Sequence, residues 1–419
     1  MIATCMLVTL AIVSVLNNAV PLTATQARAA TMPPVDDKLM QSLEASGEAR
    51  AGEARVIVIL RSPTSRGGIW AQSLQIAKTQ SAVLQSVSGE DFELVHQYQT
   101  VPGLVGTVTA EGLKNLQNNA DVRAVALDMP IYAATLESGA LIRADQARAE
   151  FGVSGRGVNV AVIDSGIDLS HPDLSDNIVA QHCFTQGDCP PDNTDEGSSA
   201  QDVNGHGTRV AGIITGRGTA SPLGIAPDAG IVAVRVMDDR GVGWNSDVVA
   251  AIDWIVANQW QFDVDIINLS LGGGRYSGIC DQQDANTQLF VEALNAAHQA
   301  GITLFAASGN GGDANAMMSP ACISGVIAVG STYDADSATR NWGFCKDDNP
   351  RADQITCFSN SSTALDLLAP GAWIVSTSLG GGQQGDAGTS MAAPHAAAVA
   401  ALMLQALSLI HISEPTRPY

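Results

Sequence analysis

Short runs rich in valine and isoleucine alternate with helical runs through most of this 419-residue chain. Continuous apolar strands of this kind are buried on both faces, which requires helices on both sides of a mostly parallel sheet. The predicted fold class is therefore α/β, with a mostly parallel sheet covered by helices on both faces. The predicted strands are 158–163, 231–237, 264–269, 302–307 and 326–330, and the predicted helices are 208–215, 247–258, 286–300 and 396–405.

The helix predicted over 247–258 shows the pattern well. Val248, Ile252 and Val256 recur at four-residue intervals, which places them on one face of a helix. Asn245 or Ser246 stands at the position expected for an N-cap. The glycine-, serine- and aspartate-rich segments 186–204 and 308–319 are predicted to be surface loops.

A smaller set of elements lies between residues 51 and 134. Their order, β-α-β-β-α-β, is that of a small ferredoxin-like α+β fold. About 80 residues suffice for a sheet covered by two helices on one face. The predicted strands are 55–60, 92–97, 103–109 and 122–127, and the predicted helices are 69–87 and 110–118.

The chain begins with an uncharged apolar run, 2–16, followed by the small-residue pattern Ala27-Arg28-Ala29. This predicts a signal peptide over 1–29 and a linker over 30–50, and hence a secreted protein, extracellular or periplasmic. The run is shorter than the ~20 residues of a membrane-spanning helix, and no later stretch is predicted to span a membrane. A signal peptide usually opens with a basic residue, but the first one here is Arg28. Either the start codon lies upstream or the signal peptide is misassigned.

Cysteine usage agrees with export. Six cysteines follow Cys5, and an even set is typical of disulfides in a secreted protein. Six cysteines allow fifteen pairings, so the sequence does not choose among them. A zinc site is the competing interpretation, disfavoured because the chain has neither a Cys-x-x-Cys pair nor a His-Glu-x-x-His helix. Proximity favours Cys183 with Cys189 and Cys345 with Cys357, which leaves Cys280 with Cys322.

The chain is acidic, with 42 Asp and Glu against 21 Lys and Arg and a net charge of −21. A surface of this sign repels phosphate groups, so the composition disfavours a nucleic-acid partner. The solubility of a secreted protein is the simplest explanation for the excess. Attraction of calcium and adaptation to salt are the alternatives.

Residues 407–419 resemble the translation of a transposon adapter that is used to prepare sequencing libraries. We expect this tail to be non-native and the native chain to continue beyond Ala406. A natural short tail is the alternative.

Three separate turns carry a possible nucleophile, base and carboxylate. Asp164 ends a predicted strand in Val-Ile-Asp-Ser-Gly, His206 lies in Asn-Gly-His-Gly-Thr, and Ser390 lies in Gly-Thr-Ser-Met-Ala-Ala-Pro-His before a predicted helix. Serine, histidine and aspartate form the set in which a base activates a hydroxyl nucleophile and an acid orients the base. The order Asp, His, Ser differs from the orders in chymotrypsin-like barrels and α/β-hydrolases. Ala392 also stands where an α/β-hydrolase elbow needs a second glycine.

Each of these residues has a simpler structural explanation when it is taken alone. Asp164 could cap a strand-to-turn junction, His206 could be a core or surface histidine, and Ser390 could be an N-cap. Backbone N–H groups at a helix start would also face a developing negative charge at Ser390. Asn310, in Ser-Gly-Asn after a predicted strand, is a candidate second donor to that charge, although turns favour the same residues.

Five segments together resemble the signature segments of subtilisin-like serine proteases, in order and at fitting intervals between residues 155 and 405. The region 51–134 is similar to the inhibitory, chaperone-like propeptide of that family. The five segments are Asp-Ser-Gly-Ile-Asp, Gly-His-Gly-Thr-Arg-Val-Ala-Gly, Asn-Leu-Ser-Leu-Gly-Gly, Ala-Ala-Ser-Gly-Asn and Gly-Thr-Ser-Met-Ala-Ala-Pro-His.

The resemblance implies a role for each matching residue. Ser390 would be the nucleophile, His206 the general base and then acid, and Asp164 its orienter. Asn310 and the Ser390 amide would form the oxyanion hole. Two strand ends would flank the substrate and pair with its backbone. The residues of these strand ends are Ser270, Leu271, Gly272, Gly273, Ala307, Ser308 and Gly309.

The resemblance also implies how the protein is made. We expect a secreted serine endopeptidase, an autoprocessed zymogen whose propeptide (51–134) is cut from a catalytic domain (136–406) between Tyr132 and Ser138. Its substrates would be proteins or peptides, it would act as a monomer away from the membrane, and its own propeptide would inhibit it. No cofactor is expected for the chemistry, and structural calcium is possible but not located.

Two departures from the family pattern bear on these expectations. Arg209 stands where the family often has a second histidine, and we expect this to affect only the helix after His206. The loop 216–223 does not match the asparagine-containing calcium loop of well-known members, so no calcium site is carried over.

Two other functions compete with this interpretation. A catalytically silent module of the same fold would bind without cutting, although the intact candidate residues argue against it. A nucleotide-binding enzyme built on the glycines at 272–274 is disfavoured because the run lacks Gly-x-Gly-x-x-Gly spacing.

Overall fold

The computed structural model describes residues 53–61, 69–128, 130–133 and 141–413. The predicted signal peptide (1–29) and linker (30–50) lie outside the described residues. Most of the segment predicted to be cut, 134–138, lies outside them too.

Residues 53–128, here called the N-terminal unit, fold as the sequence predicts. The antiparallel sheet has the strand order β2-β3-β1-β4, which is the ferredoxin-like topology. Its elements are β1 (Glu53–Leu60), α1 (Ile69–Gln85), β2 (Phe92–Gln97), β3 (Gly103–Thr109), α2 (Ala110–Gln117) and β4 (Val122–Leu127).

Strand β1 is buried on both faces because the sheet has two partners. Val56 and Val58 pack on the unit's own helices, whereas Ile57 and Ile59 share a core with residues of the larger unit. Successive side chains of a strand point to opposite faces, so each apolar set has its own partner.

The larger unit has an eight-stranded sheet. Its order is β18-β15-β13-β11-β6-β9-β7-β8, with parallel pairing throughout except for the antiparallel pair β7–β8. In chain order, including short strands of smaller sheets, the elements after β4 are β5 (Pro130–Ala133), α3 (Ala144–Phe151), β6 (Asn159–Asp164), β7 (Ile178–Cys189), β8 (Thr194–Gly197), α4 (His206–Thr215), β9 (Gly230–Arg235), β10 (Val242–Trp244), α5 (Asn245–Ala257), α6 (Gln259–Phe262), β11 (Val264–Leu269), β12 (Leu271–Tyr276), α7 (Ala285–Gln299), β13 (Thr303–Ala307), β14 (Met317–Ser319), β15 (Val326–Tyr333), β16 (Arg340–Asn341), β17 (Lys346–Asp347), β18 (Leu367–Ala372), β19 (Ile374–Ser378), β20 (Gly382–Asp386) and α8 (Thr389–Ser413).

Helices cover both faces of this sheet, which confirms the predicted α/β class. In β6, Ala161 and Ile163 belong to the core under α5 and α7, whereas Val160 and Val162 belong to the core under α4 and α8. The unbroken apolar runs in the sequence reflect this burial on two sides.

Three local predictions need correction. The segment 186–204 is not only a surface loop, because β7 ends in it and β8 turns back on β7. The side chains of Asn245 and Ser246 do not cap α5; its N-cap position is Trp244, with no side-chain cap. Helix α8 is also much longer than the predicted 396–405.

Helix α8 is long and apolar enough over Thr389–Ser408 to cross a membrane by length and composition alone, although 61% of its most apolar window is buried within the fold. The prediction that no later stretch meets this criterion is therefore wrong. A buried core helix of a globular fold has the same composition.

The favoured cysteine pairs are all present as disulfides. They are Cys183–Cys189, Cys280–Cys322 and Cys345–Cys357. All six cysteines that follow the predicted signal peptide are thereby used, which leaves no thiolate for the competing zinc interpretation.

Candidate active site

Asp164 and His206 meet at the carboxyl edge of the large sheet. Asp164 is the last residue of β6, and His206 is the first residue of α4. The distance from His206 Nδ1 to Asp164 Oδ1 is 2.7 Å, and both side chains are fully buried. The Ser165 amide also donates to Asp164 Oδ1. An imidazole held in this way keeps its Nε2 side directed away from the carboxylate.

Two glycines let α4 begin at this place. Gly205 has φ = +99°, in the left-handed region where a side chain would be strained. A Cβ at Gly207 would lie only 2.1 Å from the Gly166 carbonyl oxygen. The Gly-His-Gly pattern therefore reflects the close approach of the helix to the turn after Asp164.

Asp202 organises the turn before His206, a role that was not predicted from the sequence. Its buried carboxylate accepts hydrogen bonds from the amides of Asn204, Gly205 and Thr208, and from the hydroxyls of Ser165 and Thr208. Aspartate two residues before Asn-Gly is a turn signal that could have identified it.

Ser390 is the second residue of α8 and is fully buried. Its carbonyl accepts a hydrogen bond of 2.6 Å from the Ser270 hydroxyl, which ties the end of β11 to this turn. Its Oγ makes no hydrogen bond with the described residues. The structure thus brings Asp164 and His206 together, but the hydrogen bond of Ser390 Oγ in the predicted triad is not formed with any described residue.

Asn310 is oriented by Thr389, the neighbour of Ser390. Asn310 Oδ1 accepts hydrogen bonds from the Thr389 amide (2.8 Å) and hydroxyl (3.0 Å), and the Gly309 amide donates to the same hydroxyl. Asn310 Nδ2 is buried and has no partner among the described residues. A buried donor without a partner is costly, so its direction beside Ser390 needs a functional reason.

Strand β5 lies between β10 and β12. Ala133 pairs with Leu271, and Tyr132 pairs with Gly272 and with Val242, all antiparallel. Two of the predicted substrate-binding residues therefore already bind an extended segment of this chain.

The other predicted substrate-binding residues bond mainly within the protein. Gly273 pairs with Ser319, and Ser270 is buried against Ser390. The carbonyls of Ser308 and Gly309 accept from the amides of Met318 and Asn360, and the Ser308 hydroxyl donates to Asn360. Ala307 is a buried residue at the end of β13.

A family model described as the subtilase family matches residues 155–413. The chain belongs to the subtilase family. This confirms the resemblance found in the sequence, and the match covers the whole large sheet.

Relatives of this subtilase are named as proteases. Alkaline serine exoprotease A of Vibrio alginolyticus is 32% identical over 75% of this chain and 54% of its own length. Subtilisin E of Bacillus subtilis is 33% identical over 76% of this chain and 74% of its own length. The chain thus spans about half the length of the Vibrio relative and three quarters of that of subtilisin E.

A solved structure, that of a cold-adapted subtilisin-like serine proteinase, is also similar. It is 32% identical, with a TM-score of 0.46 over 60% of this chain and 77% of that chain.

The histidine of this subtilase lies in a strongly charged environment. Burial disfavours its charged form, but the Asp164 carboxylate outweighs burial and raises the pKa of His206 above its ordinary value. Arg209 lowers and Asp386 raises the same pKa. Burial raises the pKa of Asp386, against the effect of Arg209 and His206.

The expectation that Arg209 affects only the helix after His206 is wrong. Arg209 forms a buried ion pair with Asp386, the last residue of β20, shortly before Ser390. The sequence contains no local signal for this pair because its members are far apart in the chain.

The loop 216–223 is organised by a carboxylate. The amides of Thr219, Ala220 and Ser221 all donate to the buried Asp173. Among the described residues, no group of three or more His, Cys, Asp or Glu side chains could hold a metal ion.

The glycines at 272–274 lie in β12, which pairs with β5 and β14. No helix begins after them, since the chain continues along the strand to Tyr276. The phosphate-binding interpretation is therefore wrong for this segment.

Proposed function

We propose that this subtilase is a secreted serine endopeptidase that hydrolyses peptide bonds of proteins through an acyl-enzyme intermediate. The observation that carries the proposal is the buried Asp164–His206 hydrogen bond, at the same sheet edge as two buried polar groups that have no partner among the described residues, Ser390 Oγ and Asn310 Nδ2. Buried polar groups without a partner are uncommon, and pairing with a reacting molecule would account for these two.

The chemistry follows from the position of each group. Ser390 Oγ attacks the carbonyl carbon of the substrate and passes its proton to His206 Nε2, while Asp164 holds the Nδ1 hydrogen. The carbonyl oxygen becomes an oxyanion that accepts hydrogen bonds from Asn310 Nδ2 and the Ser390 amide. His206 then gives the proton to the leaving amine, which leaves an acyl-enzyme. Water next attacks the acyl carbonyl carbon while His206 takes its proton, and His206 returns that proton to Ser390 Oγ as the acid product leaves.

The substrate would bind as an added strand. Strand β5 supports this mode, because an extended segment there pairs with β10 and β12 through its backbone. Backbone pairing recognises any extended chain. This suits an enzyme whose substrates are proteins.

The N-terminal unit would act as an intramolecular inhibitor, and β5 as the product of self-cleavage between Tyr132 and Ser138. Asp253 of α5 accepts hydrogen bonds from the amides of Gln99, Thr100 and Val101. Asp128 accepts from the Ser246 amide at the start of α5 and from Arg55. These buried contacts hold β5 in place and keep substrate out.

Secretion is supported by three disulfides and by relatives that are named as extracellular proteases. Catalysis would need no cofactor, and the enzyme would act as a monomer.

A fluorophosphonate probe tests the proposal, since it labels only an activated serine. The matured protein should be labelled once, at Ser390, and should cut an unfolded protein substrate. Ser390→Ala should abolish labelling, and its precursor should not mature by itself. Ser198→Ala, at an exposed serine, should behave as the parent. Normal maturation of a purified Ser390→Ala precursor would contradict the proposal. Absence of labelling in the parent protein would favour the catalytically silent module.

A further inference from the structure

A buried ion pair, Arg209–Asp386, links the helix that begins at His206 to the strand that precedes Ser390, and it has no role in the steps above. Arg209 lies one helical turn after His206 on α4, and Asp386 ends β20 four residues before Ser390. Their side chains are 8% and 2% exposed. Removing one member of such a pair leaves the other as an uncompensated buried charge.

The pair is part of a wider fastening between two elements. The Ser376 hydroxyl donates to the Arg209 carbonyl (2.7 Å), and the Thr377 hydroxyl donates to the Thr208 carbonyl (2.6 Å). Both donors belong to β19, which pairs with β20. The first turn of α4 is therefore bound to the β19–β20 hairpin by two hydrogen bonds and one ion pair.

The guanidinium also lies close to the turn that carries His206. A Cβ at Gly205 would lie 3.2 Å from Arg209 Nη1. The pairing of Ile374 with Asp386 at the end of the hairpin holds the backbone of Asp386 in place.

We propose that the Arg209–Asp386 pair is a positioning device for catalysis: it holds the helix that begins at His206 against the hairpin that leads to Ser390, and as a pair it adds no net charge beside the imidazole. The inference rests on the proposed protease function. It assigns neither residue a contact with substrate.

The charges around His206 come from several elements. Asp164 at the end of β6 contacts the ring, Asp202 binds the turn before it, Arg209 lies on α4, and Asp386 comes from β20. Of these, only the last two are a matched pair of opposite sign. Their electrostatic effects on the imidazole therefore oppose each other.

Single variants of the pair should shift activity in opposite directions along the pH axis. Arg209→Met leaves the Asp386 carboxylate, which favours the charged imidazolium of His206. The acid limb of the pH profile of kcat/KM should therefore move to higher pH. Asp386→Asn leaves the guanidinium, so the limb should move to lower pH. We expect a change of roughly threefold in kcat/KM, in opposite directions, at a pH on that limb. The rate of fluorophosphonate labelling should follow the same profile.

Charge-conserving variants separate position from charge. Arg209→Lys and Asp386→Glu should lower kcat by roughly tenfold, because the contact geometry is lost, and should leave the acid limb in place. The double variant Arg209→Met/Asp386→Asn carries no buried charge and should also keep the limb of the parent. If a single variant does not fold, the acid limb of this double variant is measured in its place.

The matched control is the exposed pair Arg156 and Asp228, before β6 and β9 at the opposite edge of the sheet. Arg156→Met and Asp228→Asn change the net charge equally and should not move the limb. The inference is overturned if both buried-pair variants shift in one direction, or if the double or charge-conserving variants shift as far as the singles. A parent without labelling would instead refute the protease function.

Discussion

Two buried aspartates show how differently the two sides of this molecule are stabilised. Asp202, beside His206, is satisfied by five donors from its own unit. Asp253, on α5, is satisfied by donors of residues 99–101 in the N-terminal unit. The turn before His206 is therefore held by its own unit, whereas α5 depends on a partner that the proposed function removes.

The start of α5 shows the same dependence. Arg55, Asp128 and Asp247 form a buried cluster in which one guanidinium bonds two carboxylates. Burial raises the pKa of Asp247 to about 8, against the effect of Arg55. With the N-terminal unit removed, α5 loses the Asp128 carboxylate that accepts from its first turn. Asp247 also loses the Arg55 guanidinium with which it is paired.

The largest expected effect lies in the candidate active site. Asn310→Ala should lower kcat by about 10²–10³-fold with little change in KM, because the oxyanion loses one donor. That magnitude was established for a subtilisin and is carried over to this relative. Steady-state kinetics on a peptide substrate provide the measurement. Thr389→Val removes the hydroxyl that orients the Asn310 amide, so it should lower kcat by a smaller factor. An unchanged kcat in both variants would show that Asn310 does not donate to the oxyanion.

Asp202→Ala should destabilise the fold itself. It leaves buried N–H and hydroxyl donors without a partner, which costs about 3 kcal/mol in the free energy of unfolding. Urea unfolding of the full chain in a Ser390→Ala background, where self-digestion is absent, measures this cost. Asp253→Ala should destabilise the protein much less once the N-terminal unit has been removed. An equal loss in the free energy of unfolding would contradict the contrast between the two aspartates.

Asp253→Ala should act on release of the N-terminal unit. Hydrogen bonds to a charged group contribute about 1.5–3 kcal/mol, so the lag before activity appears should shorten by roughly ten- to a hundredfold. The matured enzyme should keep the kcat/KM of the parent. Asp192→Ala changes an exposed aspartate of the larger unit, which also contains Asp253. It is the control and should keep the lag of the parent.

The smallest effect is the pH dependence of that release. Burial at the interface lowers the pKa of His96 to about 4, with Arg55 and His182 acting in the same direction and Glu196 against it. Once released, His96 regains its ordinary pKa of about 6.5. Binding is therefore strongest above pH 6.5 and weakens as pH falls towards 4, by up to about tenfold per pH unit.

A series of lag times between pH 7 and pH 5 tests this sign. The lag should shorten as the solution becomes more acidic, and His96→Gln should flatten the dependence. A lag that lengthens in acid would show that another group governs release.

Much of the fold is predictable from local pattern. The bounds of β2, β3, β4 and β11 agree with the sequence prediction residue for residue. Their apolar runs are short and bounded by turn residues, so local signals suffice. The strand that contains Arg55 was predicted as well, but the pairing of Arg55 with Asp128 and Asp247 was not.

The errors share one cause. The predicted cap at Asn245 or Ser246 was wrong because Asp128, far away in the chain, bonds the helix start instead. The predicted loop after β7 pairs as a strand because a neighbour is there to receive it. Such partners are set by topology, which single-residue propensity does not contain.

The sequence by itself determined the family, the order of elements, the favoured disulfide pairs and which residues could carry the chemistry. Those properties depend on residue type and spacing along one segment. Only the tertiary structure decided that Asp202 holds the His206 turn, that Thr389 orients Asn310, and that Arg209 meets Asp386. Burial, ion pairing and hydrogen bonding depend on distances in space, and residues far apart in the chain come close only when the sheet assembles.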